Sequence, residues 1–264
     1  MKKIFFATIF VALGLTSCKK EEITNEPSPT SGETQNLIAL GSATTVNNET
    51  VVLYASNSQL QTGYNKLYVT VKNNSGITLP NAAITFSPLM NMGMMSHASP
   101  TEQPFYNESI GKYEGVVVFT MPSTLGTWTL DVMVNGSAAT FDLTIAVAST
   151  KVVGSYAGAD GNNYVITLVP PIKWNVGLND VEIMIHKNES GISFPPINDL
   201  SLVMTPEMVS MGHGSPNNIS PISIGNGHYK GVVNLTMTGD WRFHFELSQN
   251  GTLINSDAYL DILF

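Results

Sequence analysis

The chain repeats itself, and this constrains its fold more than any other feature. Lys72-Asn73-Asn74-Ser75-Gly76-Ile77 returns as Lys187-Asn188-Glu189-Ser190-Gly191-Ile192. Pro88-Leu89-Met90 returns as Pro206-Glu207-Met208, and Met95-Ser96-His97-Ala98-Ser99-Pro100 as Met211-Gly212-His213-Gly214-Ser215-Pro216. Tyr113-Glu114-Gly115-Val116-Val117 then matches Tyr229-Lys230-Gly231-Val232-Val233, Met121 matches Met237, and Gly126-Thr127-Trp128 matches Gly239-Asp240-Trp241. The order never breaks. Two copies of about 100 residues are duplicated domains, because solenoid repeats are shorter.

Within the first copy the apolar residues alternate along Leu67–Val71, Ala83–Phe86, Tyr113–Phe119, Trp128–Val134 and Phe141–Ile145. A period of two with β-branched and aromatic residues predicts half-buried strands. The Asn-Asn-Ser-Gly and Asn-Glu-Ser-Gly tetrads predict turns. No helical stripe appears outside the N-terminal leader. The fold expected is all-β, two tandem immunoglobulin-like β-sandwich domains, with Trp128 and Trp241 filling the two cores. The expected domains are 41–150 and 151–264. In the second, the first strand is expected near Tyr164–Val169, after a boundary at 150–160.

Residues 1–17 read as an export leader. Lys2 and Lys3 precede an apolar run from Ile4 to Leu15, too short to span a bilayer comfortably as a helix. Leu15-Thr16-Ser17-Cys18 resembles a lipobox, which implies cleavage before Cys18 and a lipid on that cysteine. Residues 18–40, mostly polar, read as a disordered tether. Lys19 differs from the aspartate of an inner-membrane retention signal, and Lys20-Glu21-Glu22 resembles the export tag of some Bacteroidetes surface lipoproteins. The expectation is a lipoprotein in the cell envelope, on the outer membrane, with periplasmic face and cell surface both open. Cys18 is the only cysteine, so no disulfide staples the fold. With a net charge of −8 and Arg242 as the only arginine, nucleic acid is a poor partner.

Seven of the twelve methionines sit in two short segments, each closed by a histidine: Met90, Met92, Met94 and Met95 with His97, and Met204, Met208 and Met211 with His213. If extended, Met90, Met92 and Met94 share one side of a strand. Thioethers are soft, uncharged ligands that select Cu(I), and an imidazole could complete such a site. His228, just before the Tyr229 strand, could join the second. Methionine is also a flexible gap filler and is common on adaptable binding surfaces. His186 and His244 read as structural, and Met121 and Met237 as packing.

The blocks together resemble YtkA-like/FixH-like domains. The residues concerned are Gly63-Tyr64-Asn65, Pro88-Leu89-Met90, Met95-Ser96-His97, Gly111-Lys112-Tyr113-Glu114-Gly115 and Gly126-Thr127-Trp128. In the second copy they are Gly177-Leu178-Asn179, Pro206-Glu207-Met208, Met211-Gly212-His213, Gly227-His228-Tyr229-Lys230-Gly231 and Gly239-Asp240-Trp241. The resemblance implies an immunoglobulin-like fold, an extracytoplasmic location, an association with copper handling and no catalytic activity. Met92 and Met94 are additions to its pattern. No positioned nucleophile, acid and base are evident either, so an enzyme is not expected. Two functions stay open. One is Cu(I) binding by each Met/His loop, with a copper exporter, an oxidase or another envelope protein as partner. The other is a metal-free interaction module that uses the methionine loops as a contact surface.

Overall fold

A computed structural model describes residues 36–171 and 173–264. The expected leader, Cys18 and most of the tether lie outside the described residues. The strands of the first copy are β1 (Ile38–Thr44), β2 (Thr50–Ala55), β3 (Leu60–Gln61), β4 (Gly63–Lys72), β5 (Ile84–Asn91), β6 (Ser96–Ala98), β7 (Thr101–Asn107), β8 (Lys112–Phe119), β9 (Thr127–Val134), β10 (Ser137–Leu143) and β11 (Ile145–Ala146). Those of the second are β12 (Val153–Ala157), β13 (Asn163–Val169), β14 (Gly177–Asn188), β15 (Ser201–Met208), β16 (His213–Gly214), β17 (Ile219–Gly225), β18 (His228–Leu235), β19 (Asp240–Gln249) and β20 (Thr252–Leu263). The only helical element among the described residues is a 3-10 turn at Ser123–Leu125.

Each copy forms a five-stranded and a four-stranded sheet. The orders are β1-β2-β4-β8-β7 and β10-β9-β5-β6 in the first, β12-β13-β14-β18-β17 and β16-β15-β19-β20 in the second. Matched strand for strand, the two orders are the same. All of these pairings are antiparallel, while the short β3–β11 pair, found in the first copy, is parallel.

Two boundaries differ from expectation. The tether expected through residue 40 stops earlier, because Ile38–Thr44 pairs along β2 as an edge strand. The segment expected as inter-domain boundary contains β12, which pairs with β13 from Val153↔Thr167 to Ala157↔Asn163. The second sandwich therefore begins before Tyr164. Its edge strand is hard to read from sequence, because Val-Gly-Ser-Tyr-Ala carries few apolar residues.

The cores follow from alternation. Along β5 the buried residues are every second one from Ile84 to Met90, and along β9 they are Trp128, Leu130, Val132 and Val134. Trp128 and Trp241 are each 1% exposed and fill equivalent places in the two cores. Each indole donates to the matching methionine carbonyl, Trp128 Nε1 to Met121 O at 2.9 Å and Trp241 Nε1 to Met237 O at 3.0 Å. Burying an indole without a partner for its N–H would be costly, and this acceptor removes the cost.

The other repeated motifs are scaffold too. Tyr113 Oη donates to Leu79 O and accepts from Ala82 N, while Tyr229 Oη donates to Ile197 O and accepts from Leu200 N. Asn65 Nδ2 donates to Gln61 O and Gly63 O, as Asn179 Nδ2 does to Asn175 O and Gly177 O.

One strand departs from the expected half-burial. On β8, Tyr113, Val117 and Phe119 face the first core, yet Val116 and Val118 are buried as well, in a cluster with Val165 and Met184 of the second sandwich. Tyr64, Val153, Val169 and Phe194 pack around this cluster. A strand covered on both faces reads as an unbroken apolar run, which is what Val116-Val117-Val118-Phe119 is. The outer faces of the two five-stranded sheets thus meet in a seam with an apolar cluster. Each fully buried aliphatic side chain there contributes about 1.5–3 kcal/mol.

Candidate functional site

The first methionine segment is a hairpin. Strand β5 ends at Asn91, the Met92 N–H donates to Met95 O at 2.9 Å, and the chain returns as β6. Gly93 has φ +86, a left-handed conformation that suits glycine at the tip. The turn divides the methionines. Met90 is fully buried, directly across the strands from Trp128 on one side and His97 on the other. Met92 is half-buried against the core, whereas Met94 is fully exposed and Met95 is 57% exposed. Met90, Met92 and Met94 are not one extended row, because the strand ends between Met90 and Met92. Gly126 lets this arrangement close: a Cβ there would lie 2.5 Å from Asn91 O and 3.1 Å from both Met90 Cε and Met92 Cγ.

The second copy repeats the division with different spacing. Met204 and Met208 are buried in the second core, and Met208 lies across from Trp241 and from His213. Its methyl packs where a Cβ on Gly239 would be. The chain turns at Val209–Gly212, where the Met211 and Gly212 N–H groups both donate to Met208 O. Met211 is left 60% exposed beside Val209 at 45%. His213 stands edge-on to Trp241, with ring centroids 5.9 Å apart, and its Nδ1 lies 3.0 Å from Gly214 O. Both copies thus place one methionine under a tryptophan, one histidine beside it across the strands, and one or two methionines in solvent. Leu125 is 54% exposed next to Gly126, and Met237, the counterpart of Met121, is 36% exposed two residues before Gly239.

The histidines separate sharply. His97 sits against the second sandwich: a Cβ on Gly191 would be 3.4 Å from its Nδ1, and the neighbouring Ala98 N–H donates to Gly191 O at 2.8 Å. His228, expected beside the second methionine loop, lies instead in the seam on the five-stranded sheet. Its Nδ1 is 2.6 Å from Glu182 Oε1 and its Nε2 is 2.5 Å from Glu102 Oε1, so both ring nitrogens are engaged by carboxylates. Burial works against a charge on His228, but the bonds to Glu102 and Glu182 outweigh it and push its pKa up to about 9. Burial likewise opposes charge on Glu182, yet His228 and Lys230, whose Nζ is 3.1 Å away, hold its pKa below the usual carboxylate value. His186, read from sequence as structural, is 1% exposed, and its Nδ1 has no hydrogen-bond partner. Burial drives its pKa down to about 4. His244 pairs with Glu207 at 2.8 Å on the opposite sheet.

Between the sandwiches beside His186 lies a cavity of about 460 Å³, lined among others by Lys66, Glu102, Phe105, Glu114 and Asn226. Sequence reasoning missed this seam. The unbroken apolar run on β8 signals a second covered face, but nothing local points to Glu102 as the partner of His228.

Among the described residues no three His, Cys, Asp or Glu side chains are grouped to hold a metal ion. No helix among them is long and apolar enough to cross a membrane. No protein-family model matches the chain, and no curated protein matches it. The solved structures it resembles are distant. FdeC, an Escherichia coli adhesin, aligns over 81% of this chain at 13% identity with a TM-score of 0.27, and the chain spans 64% of that structure's length. A conserved domain protein from Bacillus anthracis aligns over 89% of this chain and 93% of its own, at 9% identity and a TM-score of 0.28. A chimeric titin Z1Z2 tandem aligns over 85% of this chain and 96% of its own, at 12% identity and a TM-score of 0.21. At these scores the likeness assigns neither a family nor a partner, and the all-β tandem rests on the strand orders of the two copies.

Proposed function

We propose that this chain is a non-catalytic contact module of the bacterial envelope, which presents its methionine hairpin tips to a partner protein. The observation that carries this reading is the division of the methionines. Met90 and Met208 are locked beneath Trp128 and Trp241, while Met94, Met95 and Met211 are set in solvent, and Leu125 and Val209 are exposed as well. Unbranched thioether side chains on a rigid scaffold form a soft apolar surface that adapts to a partner at low cost. On this reading the Leu15-Thr16-Ser17-Cys18 leader supplies a lipid on Cys18, and the polar tether holds the sandwiches off the outer membrane. On this reading the resemblance of the repeated motifs to YtkA-like/FixH-like domains is one of scaffold.

A second reading keeps one specific observation. In both copies a methionine and a histidine are direct cross-strand neighbours, Met90 with His97 and Met208 with His213. That pairing suits a Cu(I) site of thioether and imidazole in each sandwich, with Met92, Met94, Met95, Met204 and Met211 as further ligands. Cu(I) titration under reducing conditions, against a competing chelator, decides between the readings. The contact module binds no stoichiometric Cu(I). The copper protein binds one equivalent per sandwich and loses one when Met90, Met95 and His97 are replaced together. A photo-crosslinking residue at position 94, in cells that make the protein, should give a discrete adduct that the same residue at position 203 on β15 does not. Failure to form one overturns the contact reading.

A further inference from the structure

The seam holds two opposed histidines. His228 bridges it, joined to Glu102 of the first sandwich and Glu182 of the second. His186, on the outward face of β14 two residues beyond the seam residue Met184, is buried without a partner for Nδ1. The other buried side-chain polar atoms without a partner among the described residues are Thr167 Oγ1 and Ser99 Oγ. Thr167 lies across β13–β14 from Met184, and Ser99 follows Ala98, whose N–H crosses to Gly191. Unsatisfied buried polar groups oppose burial, and these regain water if the seam opens. The apolar cluster and the charged bridge hold it closed. Such a balance, across a short connection from Val147 to Val152, is the setting of a hinge.

We propose that the seam is a proton-operated hinge, closed by the Glu102–His228–Glu182 bridge and opened when His186 takes a proton, and that opening frees the first methionine hairpin from its contact with Gly191. The hairpin consequence rests on the contact reading, whereas the hinge does not.

The signs of the two histidines differ. His228 is raised from 6.5 to about 9, so its contribution is complete below 6.5 and is lost as pH rises toward 9. His186 is lowered from 6.5 to about 4, so closure is unopposed above 6.5 and weakens as pH falls toward 4. Closure is therefore strongest near pH 6.5. The other charged groups around the pair are Lys230, bound to Glu182, and Lys66 and Glu114, which line the same cavity as Glu102 and His186. Glu102 favours the charged form of His186 and His228 opposes it, and burial dominates both.

The test is a distance measurement by pulsed electron resonance on the full chain carrying Cys18→Ser, with spin labels at Ser75→Cys and Ser256→Cys, one on each sandwich. Between pH 5 and 9.5 a narrow distance distribution is expected near 6.5, broadening toward both ends while circular dichroism stays constant. His186→Phe should keep the distribution narrow at pH 5, and His228→Gln should broaden it at 6.5. A distribution that is unchanged across the range, or broadening at pH 5 that persists in His186→Phe, overturns the hinge. If the wild-type distances respond as expected and the position-94 crosslink does not form, the hinge stands and the contact reading falls.

Discussion

Strands β8 and β18 carry the same motif, Tyr-x-Gly-Val-Val, and hold equivalent places in their sheets, yet they live in different surroundings. On β8 the outward residues Val116 and Val118 are buried in the seam. On β18 the same positions are Val232 and Asn234, both half-buried at the surface. The inward residues agree: Tyr113, Val117 and Phe119 in one, Tyr229, Val233 and Leu235 in the other. Duplication thus preserved the face that packs the core and let the other diverge. The apolar part of the seam is made by β4 and β8 of the first sandwich and by β12, β13 and β14 of the second, so equivalent sheets meet through different sets of strands.

The largest test of the conserved half is Trp128→Ala against Trp241→Ala. Each should cost about 3–5 kcal/mol in the unfolding transition of its own sandwich, measured by denaturant titration, and a marked inequality would show that the cores are less equivalent than their geometry. Next, Val118→Asn copies the second strand into the first. It places an amide in the seam and should weaken inter-domain packing by about 1–3 kcal/mol, whereas Asn234→Val should cost almost nothing. Smaller still, Tyr113→Phe and Tyr229→Phe each remove a hydroxyl that serves two backbone groups, for about 1 kcal/mol each. Smallest is Met94→Ser. Its effect on the melting temperature should correspond to less than about 0.5 kcal/mol, because the side chain is fully exposed; a larger loss would mean that the tip packs on something.

The scaffold is legible in the sequence. The two copies, the alternating strands, the core tryptophans and the turns at the Ser-Gly tetrads are local or repeated signals. Side chains on a strand alternate every residue, so a half-buried strand announces itself to its own neighbours in sequence. The same logic has limits. Alternation puts Met90, Met92 and Met94 on one face only if the strand continues, nothing in alternation says where a strand stops, and the turn at Gly93 stops it at Asn91. The second layer over β8 comes from a different part of the chain, so alternation within the strand does not show it.

Which methionines pack and which lie at the surface depends on contacts between distant strands, and so does the seam. His228 and Glu102 are 126 residues apart, and His186 is buried through sheets that local periodicity cannot bring together. The repeat, which bounded the fold from the start, fixed two like sandwiches. Their difference lies on the faces that the core does not constrain, where packing between the copies, and not the pattern within each, sets the environment of every side chain.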